Sequence, residues 1–106
     1  MEDKQIGIFK LITGEEVIAE FKNDNDMYIL RKPRLVFLQQ VGPTQFATKI
    51  RPWIISCIDG IFPLHVSSVI TVGTETEIEE SLKNGYIAET SGLDLSQAAP
   101  TKLVGV

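Results

Sequence analysis

Short runs of β-branched and aromatic residues, broken at close intervals by turn-forming residues, are the feature that most limits the fold of this chain. The first run, Ile6 to Ile12, stops at Thr13-Gly14, where glycine supplies the positive φ that a tight turn requires. In the second run, residues 17–22, apolar and more polar side chains alternate, which predicts a half-buried antiparallel strand. The polar cluster 23–26 then predicts a second turn.

Three further segments complete the predicted sheet. Residues 27–40 indicate one long strand that bends, bulges or lies at an edge where Pro33 interrupts it, because proline cannot donate to a ladder. Residues 46–58 and 64–72 predict a fourth and a fifth strand, which are separated by Asp59-Gly60. On this interpretation Cys57 is a small core residue of a strand.

A helix is predicted after the last strand. Thr74 followed by Glu77 and Thr76 followed by Glu79 both have the spacing of a capping box. The side chains on one helical face are Ile78, Leu82 and Tyr86. Asn84-Gly85 either ends this helix early or lies inside a helix that reaches Glu89. Residues 91–106 are small, mixed and aperiodic, and they predict a loosely ordered tail.

These segments predict a mostly β protein, a small, strongly bent five-stranded antiparallel barrel with a C-terminal helix. A chain of 106 residues with 43% hydrophobic and 23% charged residues is suited to one domain, here residues 1–90 followed by the 91–106 tail. SH3-like and OB-like barrels both fit this pattern.

Composition also limits the function. The net charge of −4 repels a polyanion, so any nucleic-acid site must be local. With one cysteine and one histidine, the chain offers neither an internal disulfide nor a multi-histidine metal site, and we expect no cofactor. We find no P-loop, no CxxC and no G-x-S-x-G motif and expect no enzyme activity.

Without an apolar run long enough for a signal peptide or a membrane span, the chain is expected to be soluble, cytoplasmic and not bound to membranes.

Two stretches resemble a known family. Gly14, Val17, Asp24, Met27 and Leu30 form a block that resembles the first signature of the Sm and Sm-like (LSm, Hfq) family, including its small phage-encoded members. "LHVSSVIT", residues 64–71, is similar to the last strand of bacterial Hfq. The position of the helix differs, because family members usually carry a helix before the first strand.

The resemblance implies an SH3-like (Sm-fold) barrel that assembles into a homo-oligomeric ring of five to seven subunits and binds single-stranded RNA. His65 then takes the position of a base-contacting histidine near the pore. The candidate RNA-binding residues are Tyr28, Arg31, Lys32, Arg51 and His65. Edge segments that pair between neighbouring subunits give the candidate interface residues, which are Phe46, Ile50, Trp53, Val66, Val69 and Ile70.

Each candidate also has a simpler interpretation. His65 can be a satisfied surface histidine, and the basic cluster formed by Arg31, Lys32, Arg34, Lys49 and Arg51 can be solvated charge that discourages aggregation. Tyr28 stands where many Sm proteins have a base-gripping asparagine, and Asp59-Gly60 stands where they have Arg-Gly. The alternative function is therefore a ring-forming scaffold or protein-interaction module that binds no nucleic acid.

Overall fold

The computed structural model of the protein describes residues 5–91. It contains one antiparallel sheet and one C-terminal helix, so the prediction of a mostly β chain with a C-terminal helix is confirmed. The elements are β1 Gln5–Leu11, β2 Glu16–Asp24, β3 Met27–Gln40, β4 Phe46–Pro52, β5 Ile61–His65, β6 Val69–Gly73 and α1 Glu80–Ser91. The predicted tail, residues 91–106, lies outside the described residues except for Ser91, which ends α1.

The long strand β3 organises the sheet. Along one edge it pairs with β2, and its other edge is shared by β4, which pairs with residues 34–40, and β5, which pairs with residues 27–31. β4 and β5 therefore act as one interrupted strand, with residues 53–60 looping out between them. The prediction of a continuous strand over 46–58 was wrong beyond Pro52, and Cys57 is exposed in this loop rather than buried in a core.

The predicted strand over 64–72 is likewise two strands. A 3₁₀ turn at Val66–Ser68 separates β5 from β6, and His65 caps it because the Ser67 N–H donates to the His65 Nδ1 at 3.0 Å. Within the described part of the chain the sheet consequently has six strands where five were predicted.

This short connection requires the sheet to curl. β5 pairs with β3 and β6 pairs with β1, so four strand spacings, about 19 Å on a flat sheet, separate them. The three residues between them reach at most about 14 Å from His65 to Val69. The sheet is therefore strongly curved, although among the described strands no pairing closes it.

A β-bulge marks the bend of β3. The register shifts between Ile18, which pairs with Arg34, and Glu20, which pairs with Arg31, so β3 has one extra residue. Lys32 has a φ of 53° at this point, and Pro33 beside it is fully buried. One of the interpretations offered for Pro33, a bulge, is thereby confirmed.

Apolar residues form clusters on both faces of the sheet. The concave cluster contains Phe9, Leu11, Val17, Ala19 and Leu30, and Trp53, Leu64 and Val72 pack against it. The second cluster contains Ile6, Ile18, Ile78 and Tyr86, and it lies under α1. The prediction that β2 is half-buried was wrong at Ile18 and Glu20, because α1 covers the face that the alternation assigned to solvent.

The helical region begins in two steps. A 3₁₀ turn at Glu75–Glu77 follows Thr74, whose backbone N–H donates to Glu77 Oε1 at 2.8 Å, so the Thr74–Glu77 capping contact is confirmed on this turn. The Thr76–Glu79 prediction was wrong, because Thr76 lies inside the 3₁₀ turn. The α-helix proper starts at Glu80 and passes through Gly85 to Ser91. Of the two predicted endings, the longer helix is therefore the observed one.

We expect Gly85→Ala to raise the free energy of unfolding by about 0.4–1 kcal/mol, because alanine restricts the unfolded chain more than glycine does. A Cβ at position 85 meets no atom within 4 Å. Gly14→Ala is the matched control, since its Cβ is equally unobstructed but its φ of +100° strains alanine. Urea unfolding should show opposite signs for the two variants, and a loss of stability in both contradicts this account of Gly85.

Candidate functional site

Two free edges of the curved sheet are the first candidate functional feature. Among residues 5–91, β6 at one end pairs only with β1, and β4 and β5 at the other end pair only with β3. The β4 edge is accessible, because five consecutive residues, Phe46 to Ile50, line an open groove of about 540 Å³ between this strand and α1. Free edges present unpaired N–H and C=O groups to another strand.

The predicted interface residues divide into two groups. Phe46 on β4 and Ile70 on β6 are 61% and 63% exposed, so each free edge carries one of the predicted interface residues with its side chain uncovered. Three of the other predicted interface residues lie beside the core of the chain itself. Ile50 packs against the cluster under α1, Trp53 and Val69 pack against the concave cluster, and Val66 opens the 3₁₀ turn.

Tyr28 lies on the concave face of the sheet. Its ring makes edge-on contacts with Phe9, at 5.1 Å between centroids, and with Phe21, at 6.0 Å. The half-buried ring thus adds to the concave cluster, and part of it remains accessible. Packing of this kind is the common fate of an aromatic residue at an alternating strand position.

His65 ends β5 and is exposed, but both of its ring nitrogens have partners. Nδ1 accepts from the Ser67 N–H and lies 2.8 Å from the Ser67 hydroxyl, while Nε2 lies 3.4 Å from Asp26 Oδ2. Because Nδ1 accepts from a backbone N–H, the neutral ring carries its proton on Nε2, where it can donate to Asp26. His65 therefore links the 3₁₀ turn to the β2–β3 turn.

Arg31 and Lys32 lie at the bulge, near the C-terminal end of α1. Arg31 Nη1 is 3.7 Å from Glu20 Oε1, and Lys32 Nζ donates to the Thr90 carbonyl at 3.1 Å. Both cations are thus directed towards groups of their own chain.

Arg51 differs from the other predicted RNA contacts. It is exposed on β4, and its guanidinium carbon lies 5.6 Å from the centroid of the Phe37 ring. Lys49, two residues earlier on the same strand, pairs across the ladder with Phe37. The structure therefore places the predicted RNA-binding residues in separate regions. Arg31 and Lys32 lie at the bulge, His65 at the end of β5, Tyr28 on the concave face and Arg51 on the exposed side of β4.

Arg34 is buried and so does not contribute to the predicted basic cluster. Only 4% of its side chain is exposed, and it donates from Nε to Glu89 Oε2 at 2.8 Å and from Nη2 to Asp59 Oδ1 at 2.9 Å. Nη1 donates to the Pro33 and Ile58 carbonyls. Burial acts to lower the pKa of Arg34, but bonds to Glu89 and Asp59 outweigh it and the pKa is raised. This permanently charged side chain joins β3, the 53–60 loop and α1.

Tyr86 is the residue whose importance the sequence did not reveal. Its fully buried hydroxyl accepts from the Glu20 N–H at 3.1 Å and donates to the Lys32 carbonyl at 2.9 Å. Burial raises the pKa of Tyr86, so the hydroxyl keeps the proton that it donates. The helical spacing of Ile78, Leu82 and Tyr86 did place this ring on the packed face, but nothing local indicated that its hydroxyl would fill the bulge beside Pro33.

Other site types find little support in the described residues. Within residues 5–91 no three His, Cys, Asp or Glu side chains are grouped so that they could hold a metal ion. None of the helices in that part of the chain has the length and apolarity to cross a membrane. No protein-family model matches this chain, and no curated protein sequence matches it.

Proposed function

We propose that this chain is an Sm-like protein that assembles into a homo-oligomeric ring and binds single-stranded RNA. The observation that carries the proposal is the pair of free edges, β6 at one end of the curved sheet and β4 with β5 at the other. Two different edges that pair head to tail form a heterologous interface, which closes into a ring when the rotation between subunits closes. Five to seven subunits is the number that the family resemblance implies.

The connectivity of the sheet also supports this proposal. Three consecutive antiparallel strands are followed by a fourth, interrupted strand on the far edge of β3, then by a 3₁₀ turn and a last strand beside β1. This is the order of the five-stranded SH3-like Sm barrel that the resemblance implies, if β4 and β5 count as one strand. In a barrel of this kind the two end strands of the sheet lie close together. The short β5–β6 connection requires the same closeness here.

We expect Ile70→Glu to abolish assembly while leaving the subunit folded, because a charge on the free edge of β6 blocks strand pairing between subunits and Ile70 is 63% exposed. Val41→Glu is the matched control, since Val41 is 53% exposed but lies in the β3–β4 turn outside every strand. Sedimentation velocity at micromolar concentration measures the result. A monomeric wild-type protein, or equal loss of assembly in both variants, refutes the proposed ring.

RNA binding is tested with fluorescent oligo-U and oligo-A across a salt series. We expect His65→Asn to weaken binding of the ring, because the variant retains an oxygen that can cap the 3₁₀ turn but loses the imidazole near the proposed pore. Unchanged affinity in this variant contradicts the role that the resemblance gives to His65.

A second candidate function, a ring that serves as a protein scaffold, has one specific observation in its favour. Arg31 pairs with Glu20, His65 with Asp26, and Lys32 binds the Thr90 carbonyl, so three predicted RNA contacts already have partners within the chain. RNA must compete with these partners. A protein that sediments as a ring and binds neither oligonucleotide at low salt is the result that selects the scaffold.

A further inference from the structure

The β3–β4 hairpin extends beyond the rest of the sheet and carries an unusual group of side chains. Pairing with β2 stops at Val36, so residues 37–40 of β3 are paired with β4 alone. Lys49 is the cross-strand partner of Phe37, and Arg51 lies two residues further along β4. Directly paired residues, and residues two apart on a strand, point to the same face. Phe37, Lys49 and Arg51 therefore share one face of the hairpin.

The charges in this group are not neutralised within the described chain. Four of the eight basic residues in 5–91 are paired with carboxylates, namely Lys10, Arg31, Arg34 and Lys83, and Lys32 binds a backbone carbonyl. Lys49 and Arg51 have neither a salt bridge nor a side-chain hydrogen bond among residues 5–91, and of the other basic residues there only Lys22 on β2 also lacks both. In a chain of net charge −4, two adjacent free cations form a local positive surface.

The geometry of the group suits one class of ligand. Residues two apart on a strand are about 6.8 Å apart, so Lys49 and Arg51 can contact successive phosphates of an extended strand. The Arg51 guanidinium lies over the Phe37 ring, 5.6 Å from its centroid, so an unpaired base can stack on this guanidinium or take its place on the ring. Bases within a duplex are already stacked on one another, so the ring selects single strands.

We propose that Phe37, Lys49 and Arg51 form a contact surface for single-stranded RNA, here called the hairpin surface. The hairpin surface adds Phe37 and Lys49 to Arg51 as RNA contacts, at a place away from the His65 end of β5. It deepens the proposed RNA-binding function and rests on it. The hairpin surface belongs to each subunit, so the surface itself requires no neighbouring chain.

Acidic residues nearby limit the path of the RNA. A gap of about 340 Å³ between the hairpin and the β1–β2 turn is lined by Glu15 and Glu16 as well as by Phe37. Both glutamates are exposed, and their charges repel phosphates approaching from that side. Glu79 and Glu89 line the groove that β4 shares with α1, and Arg34 neutralises Glu89. The phosphate backbone consequently follows the face of β4 that carries Lys49 and Arg51, with a base directed towards Phe37.

The test measures anisotropy of fluorescent oligo-U and oligo-A with the full chain across a salt series. For the double variant Lys49→Gln with Arg51→Gln we expect roughly tenfold or weaker binding at low salt, and a log–log salt slope reduced by about 1.4, because each lost single-strand phosphate contact removes about 0.7. Lys22→Gln, which removes a free cation elsewhere, is the matched control and should leave the slope unchanged. Phe37→Leu should weaken binding, and Phe37→Tyr should restore it because the ring is kept.

Each outcome decides between the proposals. Wild-type affinity and slope in the double variant overturn the hairpin surface, and the RNA-binding function still stands if His65→Asn is impaired in the same assay. A ring that binds neither oligonucleotide at low salt overturns the hairpin surface and the RNA-binding function together. A monomer whose binding depends on Lys49 and Arg51 supports the hairpin surface and overturns only the ring. Thermal unfolding of each variant verifies that these exposed substitutions leave the fold intact.

Discussion

Tyr86→Phe is expected to lower the free energy of unfolding by about 1–3 kcal/mol, although it removes a single oxygen atom. At the bulge, the Glu20 N–H on β2 donates to the Tyr86 hydroxyl, and this hydroxyl donates to the Lys32 carbonyl on β3. The hydroxyl thus takes the place of a direct bond between the two strands. Phenylalanine fills the same space but leaves this buried donor and acceptor without the hydroxyl. Urea unfolding monitored by circular dichroism measures the loss.

The second tyrosine provides the matched control. Tyr28 is half-buried and its hydroxyl makes no hydrogen bond within residues 5–91, so Tyr28→Phe should change stability by less than about 0.5 kcal/mol. Equal effects in the two variants contradict the role assigned to the Tyr86 hydroxyl. A loss confined to Tyr86→Phe shows that α1 stabilises the sheet by satisfying its bulge as well as by covering Ile18.

Arg34→Lys is expected to destabilise the fold by about 2–4 kcal/mol despite keeping the charge. The guanidinium binds two carboxylates and two carbonyls at once, and a lysine ammonium cannot reproduce this planar set of donors. Glu89 and Asp59 are 37% and 61% exposed, so water can replace part of what they lose, and this keeps the cost below that of a fully buried pair. Denaturant unfolding measures the change.

Arg31→Lys is the control for that substitution. Arg31 is 51% exposed and its contact with Glu20 is long, at 3.7 Å, so its replacement should cost less than about 1 kcal/mol. A separate measurement follows from the contacts of Arg34 with Ile58 and Asp59. Limited proteolysis should cut the 53–60 loop faster in Arg34→Lys than in Arg31→Lys, and equal rates argue against Arg34 as the residue that holds this loop.

The basic residues near the bulge differ in burial in a way that the sequence alone does not predict. Arg31, Lys32 and Arg34 form one basic cluster around Pro33 in the sequence, and nothing in their spacing distinguishes them. The fold separates them because the partners of Arg34 come from residues 25 and 55 positions away. A buried charge is tolerated only where such partners converge, and their convergence is a property of tertiary packing.

The predicted number of strands was too low for a related reason. Residues 64–72 have the apolar rhythm of one strand, and that rhythm continues through the 3₁₀ turn. The break at Val66–Ser68 is fixed by contacts with other elements, since the Val66 N–H donates to the Asp26 carbonyl and the Ile12 N–H to the Ser68 carbonyl. Local alternation reports which residues suit a strand but not which strand they will pair with.

By itself the sequence determined the elements whose causes are local. It determined the turn at Gly14, the turn at residues 25–26 within the predicted polar cluster, the capping contact of Thr74 with Glu77, and the face of β2 that packs into the concave cluster, because backbone preference and side-chain period act over a few residues. Only the tertiary structure decided the second buried face of the sheet, the burial of Arg34 and the exposure of Lys49 and Arg51. Each of these depends on which distant element covers a surface or neutralises a charge, and that requires the complete arrangement of β3, β4 and α1.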